Sequence, residues 1–201
     1  MYKYTEALAA SVEYFDGDEL AAKVFVDKYA LRDNDNNILE KTPDDMHRRL
    51  AKEFARVEAK KFKKPLTEEE LFNIFKNFKR VIPQGSPMFA IGNKYQYVSL
   101  GNCFVIPSPE DSYLGIMHTD TQITQISCRR GGVGWDISEL RPDKSPVKNA
   151  AKTTTGTISF AKRFSNTIRE VGQNGRRAAS LQSLHVAHPE VENFITVKQD
   201  L

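Results

Sequence analysis

The residues most able to do chemistry gather in the second half of the chain. Cys103, in Leu100-Gly101-Asn102-Cys103-Phe104-Val105, is a thiol preceded by small polar residues. A thiolate is a strong nucleophile and reductant, although a lone free cysteine reads equally well as a small buried hydrophobe. Asp111-Ser112 offers a carboxylate and a hydroxyl, able to cap a helix or to grip ribose hydroxyls. Gly131-Gly132-Val133-Gly134 would let backbone N–H groups approach a ligand, or would simply make a tight connection. Its expected order, helix then glycines then strand, is the reverse of a dinucleotide fingerprint, and no Gly-Lys-Ser/Thr follows. Arg141 lies near Lys144 and Lys148 as a plausible triphosphate clamp. Gly172-Gln173-Asn174-Gly175-Arg176-Arg177 joins flexible backbone to two strong anion donors, or is an exposed basic turn. His185 and His188, with Glu190, invite a metal reading, but in no recognisable ligand arrangement, so structural histidines are expected. A thiol followed by two anion-binding loops suggests redox chemistry on a phosphorylated substrate, with a nucleotide held nearby.

These residues need elements to position them. The first eighty residues read as helical. Glu19 to Leu31 places Leu20, Val24 and Leu31 on one face at helical spacing. Asp33 to Asn37 is a polar turn cluster. Thr42-Pro43-Asp44-Asp45 supplies a capping hydroxyl, a first-turn proline and carboxylates for the positive helix end, followed by Met46, Leu50, Phe54 and Val57. Thr67-Glu68-Glu69-Glu70 is a capping box, with Leu71, Ile74, Phe75 and Phe78 behind it. Lys60, Lys61, Lys63 and Lys64 between these two helices read as a solvated helix end.

Near Pro83 the texture changes. Pro83 to Pro87 reads as a loop, and Tyr95 to Ile106 is rich in aromatic and β-branched residues. A helix is expected from Tyr113 to Arg130, with Cys128 in its interior as a small hydrophobe. A strand is expected through Trp135–Ile137, a proline-punctuated loop through Pro146, and a helix over Thr157–Val171. A strand over Ser180–Val186 and a helix from Pro189 through Val197 follow. Strands alternating with helices predict an α/β unit with parallel strands. The expected domains are residues 1–82, helical, and 83–201, α/β. A closed α/β barrel needs more chain than follows the helical part, so the sequence reads as a first portion.

Bulk properties narrow the classes. Of 201 residues, 29 are Lys or Arg and 26 Asp or Glu, so any nucleotide site must be local rather than a polyanion-covering face. No apolar run reaches membrane-spanning length and no signal-peptide pattern opens the chain. With 2 cysteines there is no disulfide framework, and a reducing cytoplasm is expected. No membrane or nucleic-acid partner is expected.

In this order the segments PQGSPMF, SLGNCFV, DSYLGI, RRGGVGWDISELRP, SPVKNAAKTTTGTISFAKRFSN and GQNGRRAASLQSLHVAHPEVENFI resemble the catalytic (large) subunit of ribonucleotide reductase, over residues 17–201. The resemblance implies a helical domain followed by the first part of a ten-stranded α/β barrel carrying an allosteric specificity site. It implies that Cys103 is the N-terminal member of the redox-active pair that reduces the ribose 2′ position. It places Ser86, Asn102, Gly131 and Gly132 at the substrate, with Asn102 a departure from the commoner serine. It assigns the base and ribose of a dNTP or ATP effector to Asp111, Ser112 and Tyr113, its phosphates to Arg141 and Lys148, and effector signalling to the loop of Gln173, Arg176 and Arg177. The helices Tyr113–Arg130 and Thr157–Val171 match the pair at a dimer contact between catalytic subunits. No metal ligand is implied within the chain.

The implied partners are a ribonucleoside di- or triphosphate, the C-terminal part of the catalytic subunit, and indirectly a thioredoxin- or glutaredoxin-type reductant. A radical generator outside the chain, adenosylcobalamin or a metal-containing small subunit, completes the set. Residues 1–201 alone are expected to be inactive, a split enzyme being the working expectation. A non-enzymatic dNTP-binding module, in which Cys103 has no necessary role, is the rival, and a truncated fragment a third reading.

Overall fold

A computed structural model describes residues 1–171 and 178–199. The chain forms two compact units, Met1–Asn102 and Cys103–Leu201. The boundary expected at residues 82–83 lies before that division.

The first unit is helical: α1 (Tyr4–Tyr14), α2 (Glu19–Lys28), α3 (Pro43–Lys61), α4 (Glu68–Phe75), a 3-10 turn Lys76–Phe78, and α5 (Gly85–Ala90). Local chemistry sets the helix starts. Asp18 accepts from the Ala21 N–H at 2.9 Å and opens α2. The capping box at α4 forms as expected, with Thr67 N–H donating to Glu70 Oε2 at 2.8 Å and Glu70 N–H to Thr67 Oγ1 at 3.3 Å. At α3 a capping box joins Thr42 and Asp45 behind the first-turn proline, and the Asp45 carboxylate accepts the N–H groups of both Lys41 and Thr42.

The buried face of α2 is Ala22, Phe25 and Val26 rather than Leu20, which lies in the first turn, 73% exposed. Phe25 and Val26 join Ala7, Met46, Leu50, Ala51 and the α4 residues Leu71, Phe72 and Phe75 in one core. Phe54 lies outside it, its ring stacked on that of Phe75. Residues 85–90, expected in part as loop, form α5. Lys60, Lys61, Lys63 and Lys64 are exposed around the end of α3.

Among the described residues the second unit is a parallel three-stranded sheet, order β1 (Cys103–Val105), β2 (Gly132–Asp136), β3 (Ser180–Ser183), with α6 (Tyr113–Ser127), α7 (Gly156–Glu170) and α8 (Val191–Thr196). Only residues 103–105 of the aromatic 95–106 stretch are strand. Trp135, Ile137, Ile116, Ile123, Ala161 and Phe164 form the core between β2 and helices α6 and α7. Trp135 meets Phe164 edge to face with centroids 5.4 Å apart.

The sequence expectation also needs correction at the glycines. Gly132 and Gly134 are inside β2 rather than in a loop before it. Gly131 alone of the three precedes the strand, in close approach to α6: a Cβ there would come within 2.4 Å of Ile126 Cγ2. Cys128 caps the end of α6 and is exposed, because the helix stops three residues early. Likewise α8 starts after Glu190, since His188 and Glu190 are held in a turn by Val191 N–H donating to His188 O.

Candidate functional site

Cys103 begins β1, its thiol in an exposed residue, in register with Gly132 at the start of β2. The parallel pairing follows from α6, which carries the chain from the end of β1 back to the start of β2. Two of the expected site residues therefore meet at the N-terminal edge of the sheet. In the first unit, Ser86 and Asn102 meet: the Ser86 N–H donates to Asn102 Oδ1 at 2.7 Å, and Ser86 is buried. The Asn102 side chain thus has its oxygen occupied, while its Nδ2 makes no hydrogen bond among the described residues.

At the C-terminal side of β1 and β2, Asp111, Ser112, Tyr113, Arg141 and Lys148 line one cleft of about 460 Å³. That is within the size range of small-molecule sites. Ser112 is the cap of α6, its Oγ accepting from Gly115 N–H at 3.0 Å. Arg141 Nε donates to Asp111 Oδ2 at 2.6 Å, and its Nη1 to Pro146 O at 2.9 Å. Arg141 Nη2 makes no hydrogen bond among the described residues.

Residues 144–154 fold back on themselves, with Val147 N–H donating to Lys152 O at 2.8 Å and Thr154 N–H to Ser145 O at 3.0 Å. This antiparallel loop carries Pro146, Val147, Lys148 and Asn149 along the cleft. Sequence reasoning missed Phe160 on α7, which meets Tyr113 edge to face at 6.2 Å and lines the same cleft. Its signal was present, since Phe160 and Phe164 are four apart on one helical face. An aromatic wall, a carboxylate, a guanidinium and an exposed ammonium suit a nucleoside polyphosphate: base on rings, ribose on carboxylate, phosphates on cations.

Below the cleft, Asp120 of α6 accepts from Arg163 Nη2 at 3.0 Å and from Thr167 Oγ1 at 2.6 Å, fixing α6 to α7. Asp136, at the end of β2, is partly buried, which opposes its ionisation. Hydrogen bonds from Ser183 and Ser138 overcome this and lower its pKa. His185 and His188 both engage nearby backbone. His188 Nε2 lies 2.9 Å from Leu140 O, and its Nδ1 accepts Glu190 N–H at 3.1 Å. Glu190 accepts the Thr157 N–H at the start of α7, and His185 Nδ1 accepts Ala187 N–H. Gln173, Arg176 and Arg177 lie outside the described residues. No helix among the described residues is long and apolar enough to cross a membrane.

Residues 101–201 match the family model of the ribonucleotide reductase barrel domain, and residues 15–96 that of the ribonucleotide reductase all-alpha domain. The vitamin B12-dependent ribonucleoside-diphosphate reductase of Mycobacterium tuberculosis is 34% identical over 102 residues, covering 50% of this chain and 15% of that protein. The ribonucleoside-diphosphate reductase subunit alpha of Helicobacter pylori is 28% identical over 187 residues, covering 92% of this chain and 23% of its own length. The vitamin B12-dependent ribonucleoside-diphosphate reductase of Thermoplasma acidophilum is 28% identical, covering 89% of this chain and 30% of that protein. The chain thus spans less than a third of the length of each of these relatives.

Proposed function

The chain belongs to the ribonucleotide reductase large-subunit family, and from that premise we propose that it forms the N-terminal portion of a catalytic subunit reducing ribonucleotides to 2′-deoxyribonucleotides. The observation that carries this reading is the exposed Cys103 at the head of β1, in register with Gly132, in the same unit as the Asp111–Arg141 cleft. In the reaction, the ribose 2′-hydroxyl leaves as water and hydrogen takes its place. Two thiols supply two electrons and two protons and become a disulfide. Cys103 is one of them, and the second belongs to the remainder of the catalytic subunit.

Ser86, Asn102, Gly131 and Gly132 hold the ribonucleoside di- or triphosphate, Asn102 through its open Nδ2. A dNTP or ATP effector occupies the cleft, with Tyr113 beside its base, Asp111 and Ser112 at its ribose, and Arg141 and Lys148 at its phosphates. For that, the Asp111–Arg141 pair opens or shares its charges with the incoming ligand. Gln173, Arg176 and Arg177 relay effector identity to the substrate. Radical initiation is assigned to a generator outside residues 1–201, adenosylcobalamin or a metal-containing small subunit. Helices α6 and α7 are assigned to a contact between two catalytic subunits, and a thioredoxin- or glutaredoxin-type protein restores the thiols.

Cys103→Ser in the assembled reductase tests the reading. Loss of multiple-turnover activity to background, with dNTP binding retained, is expected. Full activity would overturn it. The alternative, a dNTP-binding regulatory module, draws on the fact that the cleft contains no part of Cys103. It would be favoured if dNTP bound and no partner polypeptide conferred turnover.

A further inference from the structure

We propose that the buried Glu40–Arg49 pair is a positioning device that sets α5, and through it Ser86 and Asn102, for the substrate. The proposal rests on the reading that these two residues bind the ribonucleotide. Arg49 rises from the middle of α3 and Glu40 from the segment before it, with side chains 9% and 5% exposed. Arg49 Nε donates to Glu40 Oε1 at 2.6 Å and Nη2 to Glu40 Oε2 at 3.3 Å, a bidentate fork.

The same guanidinium reaches across to α5. Nη2 donates to Met88 O at 3.0 Å, and Nη1 to Ile91 O. Those carbonyls belong to the last turn of a short helix and to the residue that caps it, where backbone acceptors lack intrahelical partners. Three further observations fit a clamp. Glu40 Oε2 also accepts the Leu31 N–H at 2.8 Å, so both members are anchored in the helical core. Gly92, at φ +73°, has no room for a side chain, because a Cβ would lie 2.8 Å from Arg49 Cγ. At its other end α5 begins against Tyr29, whose hydroxyl would be 3.1 Å from a Cβ on Gly85, and there Ser86 N–H meets Asn102 Oδ1.

A six-residue helix does not hold its own orientation in water. Here it is fixed at its start by packing and by Asn102, and at its end by one guanidinium. A displacement of about 1 Å in a substrate-holding group is enough to lower turnover efficiency by roughly a hundredfold. Arg49 touches no substrate in this account; it acts through α5.

The test uses the complete reductase carrying this chain. E40M/R49M replaces the pair by apolar side chains and leaves no buried charge unpaired. The expected result is a KM for the ribonucleotide raised about tenfold or more, with kcat within about threefold and dNTP affinity unchanged, since the effector cleft belongs to the other unit. Amide exchange of residues 86–90 speeds up at the same time. R49K, which keeps the charge but loses the fork, gives an intermediate KM and decides the matter if the double variant does not fold. Unaltered KM and exchange in these variants would overturn the clamp. Ser86→Ala separates the two layers: if it leaves KM unchanged, the substrate-site reading fails, and faster exchange over residues 86–90 in R49K still supports the clamp on α5.

Discussion

Each unit contains an arginine–carboxylate contact of the same length, with opposite consequences. In the helical unit Arg49 Nε lies 2.6 Å from Glu40 Oε1, and the side chains are 9% and 5% exposed. In the sheet unit Arg141 Nε lies 2.6 Å from Asp111 Oδ2, and the side chains are 39% and 33% exposed. Burial decides what such a contact does. Out of water, neither charge can be left without its partner, so the pair holds the backbone it touches. In partial contact with water, the pair is weak and each member remains open to a ligand. Distance alone does not separate a structural arginine from a binding one.

The sharpest way to break this comparison is to remove one partner from each pair. Arg49→Met strands the Glu40 carboxylate in the core and is expected to lower stability by about 3–5 kcal/mol. Urea unfolding of the protein measures it, and a loss below 1 kcal/mol would mean that water reaches Glu40.

The two glycine environments in the sheet unit sharpen it further. Gly131→Ala forces a methyl to 2.4 Å from Ile126 Cγ2 and is expected to cost about 1–3 kcal/mol. At Gly134 a Cβ would meet only ordinary contacts, the nearest at 3.8 Å. Gly134→Ala is therefore expected to be neutral or stabilising by up to about 1 kcal/mol. Equal losses at both positions in thermal melting would contradict the close-approach account of Gly131.

Arg141→Ala, the exposed counterpart of Arg49→Met, is expected to change stability by less than about 1 kcal/mol. Its effect is on ligand binding: dNTP affinity falls about tenfold, which is about 1.4 kcal/mol. Calorimetric titration with a dNTP reads this directly. Undiminished affinity would remove Arg141 from the phosphate-binding set.

What was legible in the sequence follows the same division. The capping box at Thr67–Glu70, the parallel alternation and the gathering of Asp111 with Arg141 depend on local pattern or on the family resemblance, and the structure carries these features. The role of Arg49 was not legible, because its partners lie 9, 39 and 42 residues away and nothing local marks them. Gly132 and Gly134 misled in the other direction. Glycines usually punctuate elements, yet here the strand is specified by Val133 and Trp135, whose side chains enter the core. Cys128 was misplaced because helical periodicity continues past Ser127, where Arg130 takes φ 68° and ends the helix.

The last contrast is between two buried histidines, and it has no effect at neutral pH. His188 has backbone partners at both ring nitrogens. His47, 0% exposed, sits between Phe75 and Phe78 with no hydrogen bond at either nitrogen among the described residues and the Asp44 carboxylate 3.7 Å from its Nδ1. Burial lowers its pKa, and Asp44 opposes this only in part. A histidine with a lowered folded pKa binds fewer protons in the folded than in the unfolded state. Its burden on stability is therefore absent above the ordinary value of 6.5 and grows as pH falls below it. Tyr14, raised to about 12 by burial and by the same Asp44, stays neutral throughout this window. The melting temperature is thus expected to fall between pH 7.5 and 5, and His47→Phe, which retains the ring packing without the proton, is expected to flatten that slope. Parallel slopes in the two proteins would place the acid sensitivity elsewhere and leave His47 a neutral core residue whose titration does not bear on folding.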